Sequence, residues 1–134
     1  MNLSKIAESL VLDEGFEGMP YKDHLGKDTI GIGTLLPITK EEAMLLLETR
    51  LADKIKELLD KKPWIADLPE DVQIVLGNMG YQLGINGLLK FEKMLMALKE
   101  GKFTLAASHG LDSRWAKQTP KRAKKLMKII SDLD

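Results

Sequence analysis

The sequence predicts an α+β fold, in which a small antiparallel sheet interrupts an otherwise helical chain. Apolar residues recur at helical spacing over most of the 134 residues. The stretch 15–36 differs, because it is rich in glycine and in the β-branched and aromatic residues that favour strands. One local sheet within a set of helices is the α+β arrangement.

The first predicted elements are a helix and a β-hairpin. Apolar residues at helical spacing predict a helix over 3–13, with Asn2 as its N-cap and Gly15 as its stop. The tetrapeptide Leu25–Asp28 is typical of a hairpin turn, with strands near 19–24 and 28–34.

A long helix is predicted to begin at Thr39, which with Glu42 fits a capping box. Its apolar stripe runs to about Lys61, a length of roughly 30 Å that can connect two lobes. Glycines and prolines separate four further helices, at about 69–82, 91–100, 104–111 and 120–132.

We therefore expect residues 1–134 to form a single domain with three parts. These are a small β lobe at 14–38, a connecting helix at 39–61, and a helical lobe made from 1–13 and 62–134.

Composition excludes several classes of chemistry. The chain has no cysteine, which rules out disulfides and thiolate catalysis. Its two histidines do not lie near a nucleophile-elbow pattern, and no set of residues has metal-ligand spacing. No segment resembles a signal peptide or approaches a membrane span. Chemistry that uses carboxylate side chains is the class for which the sequence offers the most candidate residues.

Three residues fit glycoside hydrolysis, which needs one carboxyl to protonate the leaving oxygen and another on the far side of the sugar to handle water. Glu14 ends the first helix, Asp23 lies on the hairpin, and Thr29 on the returning strand has a hydroxyl that can position a water. Each also has a purely structural interpretation. Glu14 would be a solvated helix end, Asp23 a turn former and Thr29 a strand former. Spacing alone leaves both interpretations open.

A basic run between Arg114 and Lys128 contains seven Lys or Arg and no acid, although the formal net charge of the chain is zero. It is either a solvated helix face or a surface that attracts an anionic polymer, such as nucleic acid or bacterial cell wall.

Four segments resemble the phage-type lysozymes. Glu14, eight residues, Asp23, five residues and Thr29 reproduce the spacing of that family's active site without a gap, and Gly31-Ile32-Gly33 follows. The segments 38–43, 78–84 and 113–123 resemble, in the same order, the start of the family's interlobe helix, its cleft-lining segment and its C-lobe motif. The resemblance implies a lysozyme-like fold.

The resemblance also implies roles for individual residues. Glu14 is expected to protonate the glycosidic oxygen, Asp23 to activate water or stabilise the developing cation, and Thr29 to hold that water, with inversion of configuration. Arg122 matches an arginine that pairs with the catalytic glutamate. Substrate contacts are expected at Leu35, Asn78, Tyr81, Gln82, Met94 and His109.

The sequence departs from the family pattern in its small lobe and at its binding positions. Residues are missing between Leu36 and Thr39, and Thr34 replaces a histidine. Met94 and His109 replace polar contacts, which weakens the inference of a binding role there.

The implied function is that of an endolysin, a muramidase that cuts peptidoglycan between N-acetylmuramic acid and N-acetylglucosamine without metal or cofactor. We expect a monomer that neither binds nucleic acid nor inserts into a membrane. It would stay in the host cytoplasm until a holin-type permeabilising partner releases it to the wall. Two alternatives are a non-catalytic wall-binding or virion-associated module, and a nucleic-acid binder that uses the basic run.

Overall fold

The computed structural model describes all 134 residues and contains eight α-helices and one three-stranded sheet. The predicted α+β, lysozyme-like class is confirmed. The elements in chain order are α1 Leu3–Glu14, β1 Glu17–Lys22, β2 Asp28–Gly31, β3 Thr34–Leu35, α2 Lys40–Lys61, a 3-10 turn Pro63–Asp67, α3 Glu70–Leu83, α4 Ile85–Leu89, α5 Glu92–Lys99, α6 Phe103–Leu111, α7 Arg114–Gln118 and α8 Pro120–Ser131.

The chain divides into two compact units, Met1–Leu46 and Leu47–Asp134. The boundary falls inside α2. The predicted grouping of residues 1–13 with 62–134 stays a prediction. None of the helices has both the length and the apolar character that a membrane crossing requires.

The first helix is bounded as its sequence predicts. The side chain of Asn2 accepts a hydrogen bond from the N–H of Lys5 at 3.0 Å, which makes Asn2 the N-cap. The N–H of Gly15 donates to the carbonyl of Val11, and Gly15 takes a φ of 67° that ends the helix.

The sheet is antiparallel with the order β1-β2-β3. Tyr21 lies opposite Thr29 and Lys22 opposite Asp28, while Leu35 flanks Thr29 on its other side. Lys22 and Asp28 form an ion pair. Thr29 on the central strand β2 is the buried residue of the sheet.

The predicted turn position was wrong, because the turn begins at Asp23 rather than Leu25. The N–H of Gly26 donates to the carbonyl of Asp23 at 2.9 Å, and Gly26 then takes a φ of 78°. This is the three-residue hairpin loop, a tight turn followed by a left-handed residue. The short third strand was also not predicted, since two residues are too few to show alternation.

The capping box of α2 is confirmed in both directions. The N–H of Glu42 donates to the Thr39 hydroxyl at 3.1 Å, and the Glu42 carboxylate accepts from the N–H of Thr39 at 2.9 Å. Two N–H groups at the start of the helix are thereby satisfied.

The second unit contains the apolar core. Every buried apolar side chain lies between Leu58 and Ile130, on α2, the 3-10 turn and the helices that follow. The four predicted helices of this unit correspond to α3, α5, α6 and α8. The five-residue helices α4 and α7 and the 3-10 turn were missed, because segments so short carry little periodicity.

Candidate active site

Glu14 is the last residue of α1, and its exposed side chain lies against the backbone of Gly33. A methyl group placed on Gly33 would come within 2.8 Å of Cδ and 2.9 Å of Oε2 of Glu14. Gly33 belongs to the turn that joins β2 to β3. The helix end and this turn together therefore place the candidate acid beside the sheet.

Asp23 uses one carboxylate oxygen to organise the hairpin turn. Its Oδ1 accepts hydrogen bonds from the N–H groups of Leu25 at 2.9 Å and Lys27 at 2.8 Å. The bond from Lys27 is the main reason that the pKa of the Asp23 carboxyl lies below its ordinary value of 3.8, and the N–H of Leu25 and the charges of His24 and Lys27 act in the same direction.

The second carboxylate oxygen of Asp23, Oδ2, accepts no hydrogen bond from the protein. Because Oδ1 is tied to two backbone N–H groups, the orientation of the whole carboxylate is set. The structure thus supplies an oriented group whose ionised form is favoured and whose second oxygen has no protein partner, which is what a base needs.

Thr29 is 2% exposed and is the one buried polar residue of the chain. Its hydroxyl donates to the carbonyl of Lys27 at 2.9 Å. With its proton committed in this way, the oxygen can only accept a hydrogen bond from a further group. A water donating to Thr29 would keep its own lone pair free to attack.

The backbone of Lys27 connects the two water-handling candidates. Its N–H donates to Asp23, and its carbonyl accepts from both the N–H of Asp23 and the hydroxyl of Thr29. Asp23 and Thr29 are therefore held in one hydrogen-bonded unit at the β1–β2 turn.

Glu14 and Asp23 lie at opposite ends of β2. Asp23 is hydrogen-bonded to Lys27, which directly precedes β2. Gly33 lies beside Gly31, the last residue of β2, because the chain folds back there into β3. Four residues at about 3.3 Å each separate Lys27 from Gly31 by roughly 13 Å of backbone. Inverting pairs hold their carboxyl groups about 6.5–9.5 Å apart, so the predicted roles require the side chains of Glu14 and Asp23 to point toward each other.

Two predicted site residues of the second unit, Asn78 and Arg122, are hydrogen-bonded to each other. Arg122 on α8 donates from Nε to Oδ1 of Asn78 on α3 at 2.9 Å, and from Nη2 to Oδ1 at 2.6 Å. Arg122 also reaches the carbonyl of Asn78 at 3.3 Å. The expected pairing of Arg122 with the catalytic glutamate stays a prediction.

Gln82 lies one helical turn beyond Asn78 and is bound by α7. Its Oε1 accepts from Nε1 of Trp115 at 2.9 Å, and Trp115 stacks edge-on against Phe91 with ring centroids 5.9 Å apart. The carbonyl oxygens of both α3 amides are therefore committed to α7 and α8. Their NH₂ groups make no hydrogen bond to the protein, so each amide keeps its donors for a ligand.

The remaining candidates differ in accessibility. Tyr81 and Leu35 are exposed, whereas Met94 exposes only 1% of its surface. Met94 and His109 both line a cavity of about 510 Å³ between α5, α6 and α7. Met94 has little surface to offer a substrate, and its binding role stays a prediction.

Sequence reasoning missed two residues of this site, Lys27 and Gly33. Lys27 acts through its backbone, which no residue pattern reveals. Gly33 left a signal, since two glycines inside a predicted strand indicate positive φ or a close approach of another group to the backbone. No group of three or more His, Asp or Glu is gathered in a way that would hold a metal ion.

Comparison with known proteins identifies the class to which this fold and site belong. Residues 12–129 match the model of the phage lysozyme family, so the chain belongs to that family and is a lysozyme-like module. Among individual relatives, the probable T4-type lysozymes 1 and 2 of Dictyostelium discoideum are each 28% identical, over 96% of this chain and 94% of theirs.

A second kind of relative is the pre-baseplate central spike protein Gp5 of Enterobacteria phage T4. It is 32% identical over 93% of this chain, but the match covers only 27% of the spike protein. The chain thus matches nearly the whole length of the two probable lysozymes but about a quarter of the spike protein.

Proposed function

We propose that the chain is an active muramidase, which hydrolyses the β-1,4 bond between N-acetylmuramic acid and N-acetylglucosamine in bacterial peptidoglycan. The observation that carries the proposal is the unit formed by Asp23, Lys27 and Thr29, because it combines an oriented carboxylate with an acceptor hydroxyl. A hairpin turn alone needs no acceptor hydroxyl beside its aspartate.

The proposed reaction is a single displacement with inversion. Glu14 in its acid form gives its proton to the glycosidic oxygen as the bond from the anomeric carbon to that oxygen breaks. A water that donates to Thr29 and to Oδ2 of Asp23 loses a proton to Asp23 as its oxygen bonds to the anomeric carbon. Exchange with solvent then removes the proton from Asp23 and returns one to Glu14.

The binding side of the proposal uses the second unit. The free NH₂ groups of Asn78 and Gln82 and the exposed ring of Tyr81 offer donors and a flat apolar surface for sugar rings. We propose that the protein acts as a monomer, without cofactor, and reaches the wall from the host cytoplasm with help from a membrane-permeabilising partner.

Product analysis tests the proposal. Purified protein is incubated with isolated peptidoglycan, and the soluble fragments are reduced and analysed by mass spectrometry. A muramidase leaves new reducing ends on N-acetylmuramic acid; fragments that end instead on reducing N-acetylglucosamine, or that differ only by cleaved peptides, would assign another reaction.

A second candidate is a wall-binding or virion-associated module, favoured by the similarity to the phage spike protein. Sedimentation with insoluble peptidoglycan that releases no reducing ends would support a non-catalytic binder. Detection of the chain in purified particles, together with wall cleavage, would instead place an active enzyme in the virion.

A further inference from the structure

We infer that Gly33 is a positioning residue for the candidate acid, and that its lack of a side chain is what allows the Glu14 carboxyl to lie where it does. The inference rests on the proposed function, in which Glu14 donates the proton. It adds a fourth residue to the candidate site, beside the acid Glu14, the base Asp23 and the water-binding Thr29.

The contact is specific in its geometry. A methyl group on Gly33 would lie 2.8 Å from Cδ, 2.9 Å from Oε2 and 3.0 Å from Cγ of Glu14. All three separations are below ordinary van der Waals contact, so the carboxyl occupies the space that any side chain at position 33 would fill.

The side chain, not the backbone, would give way in a substituted protein. Glu14 is exposed and its carboxyl is the end of a flexible chain, whereas Gly33 is held within the turn that joins two paired strands. A methyl group at position 33 therefore displaces the carboxyl from the sheet. A displacement on the order of 1 Å at a reacting group can cost about a hundredfold in rate.

Gly31 provides a matched control two residues away. Its φ of 71° is close to the 67° of Gly33, so alanine suffers similar backbone strain at either position. Yet a methyl group on Gly31 would have no atom within 4 Å. Comparing Gly33→Ala with Gly31→Ala thus separates loss of the Glu14 contact from strain in the turn.

The experiment measures kcat, KM and thermal unfolding for the wild type and both variants on soluble peptidoglycan fragments. We expect similar decreases in Tm for the two variants. Gly33→Ala should lower kcat by on the order of tenfold to a hundredfold with little change in KM, and Gly31→Ala should keep most of its kcat. Equal kcat losses in the two variants would overturn the inference.

A second readout does not depend on activity. In protein labelled with ¹³C at glutamate carboxyls, the Glu14 resonance, assigned by its loss in Glu14→Gln, should move in Gly33→Ala and stay in place in Gly31→Ala. A wild type that cleaves no wall would refute the proposed function but would not test the contact between Gly33 and Glu14. The resonance tests that contact by itself, and an unmoved signal in Gly33→Ala would overturn the inference.

Discussion

At the scale of single residues, Asp23 shows how one side chain can satisfy two demands. The structural interpretation of an aspartate in a hairpin is correct, since Oδ1 ties the turn together through Leu25 and Lys27. That use leaves Oδ2 open and lowers the pKa, so the same bonds favour the ionised form that a base requires. The two interpretations that the sequence left open are therefore compatible.

Asp23→Asn separates these two demands. The amide oxygen of asparagine can still accept from both N–H groups, so the turn should be kept while the base is lost. We expect kcat to fall by about a hundredfold or more, with circular dichroism unchanged. Full activity in this variant would show that Asp23 serves the turn alone.

Thr29 can be tested by two substitutions, one that keeps the hydroxyl and one that keeps the size of the side chain. Thr29→Ser keeps the hydroxyl that donates to the carbonyl of Lys27, whereas Thr29→Val removes it and leaves the N–H of Asp23 as the one partner of that carbonyl. The valine variant should lose about tenfold in kcat, the value of one hydrogen bond to the attacking water, and unfold at a lower temperature. The serine variant should keep most of its rate; equal kcat values for the two variants would contradict a water-positioning role.

At the scale of elements, the sequence predicted helices best where the apolar pattern is long or where a capping side chain bonds to the nearby backbone. The capping box of Thr39 and Glu42 and the N-cap Asn2 were predicted because their chemistry is local. The turn at Asp23 was misplaced, since a side-chain hydrogen bond rather than the glycine position decides where it begins. The Arg122–Asn78 and Trp115–Gln82 bonds join residues 44 and 33 positions apart, and no local pattern contains them.

Helix α6 offers a prediction about pH. It begins after Lys102, which provides no side-chain cap, and the N–H of Thr104 instead donates to the carboxylate of Asp134 at 2.6 Å. Hydrogen bonds from the Thr104 side chain and backbone lower the pKa of Asp134 below 3.8. Ionised Asp134 therefore stabilises the folded state above its unfolded pKa, and this contribution is lost as the pH falls through the lower folded value.

Asp134→Asn should expose this dependence, because asparagine keeps an acceptor but has no charge to titrate. The wild type should have the higher Tm near neutral pH, and the difference should shrink as the pH falls below about 3.8. A difference in Tm that stays constant across this range would contradict the capping role of the charge.

At the scale of the whole molecule, the apolar core and the candidate catalytic residues lie in different parts of the chain. The apolar core lies between Leu58 and Ile130, whereas Glu14, Asp23 and Thr29 all belong to the unit Met1–Leu46. Thr29 is the one buried side chain of that unit. Substitutions at the candidate acid and base should therefore change the reaction without removing core contacts.

The basic run between Arg114 and Lys128 is compatible with both a solvated helix face and a surface that attracts an anionic polymer. Lys117, Lys121, Lys124 and Lys125 are exposed and form no ion pair, while Lys128 pairs with Asp132 at 2.8 Å. Trp115, the aromatic residue of the run, is 4% exposed and so cannot stack on a nucleic-acid base. These lysines fit a solvated face or a diffuse attraction to an anionic polymer better than a nucleic-acid site.

The measurement that tests the account most directly is wall cleavage by Glu14→Gln beside the wild type, at equal concentration and with unfolding temperatures compared. Glutamine keeps the size of the side chain over Gly33 but has no proton to give. The account predicts that reducing-end release falls by a factor of about 10² to 10⁴ while Tm changes little. Release at the wild-type rate by a folded Glu14→Gln protein would contradict it.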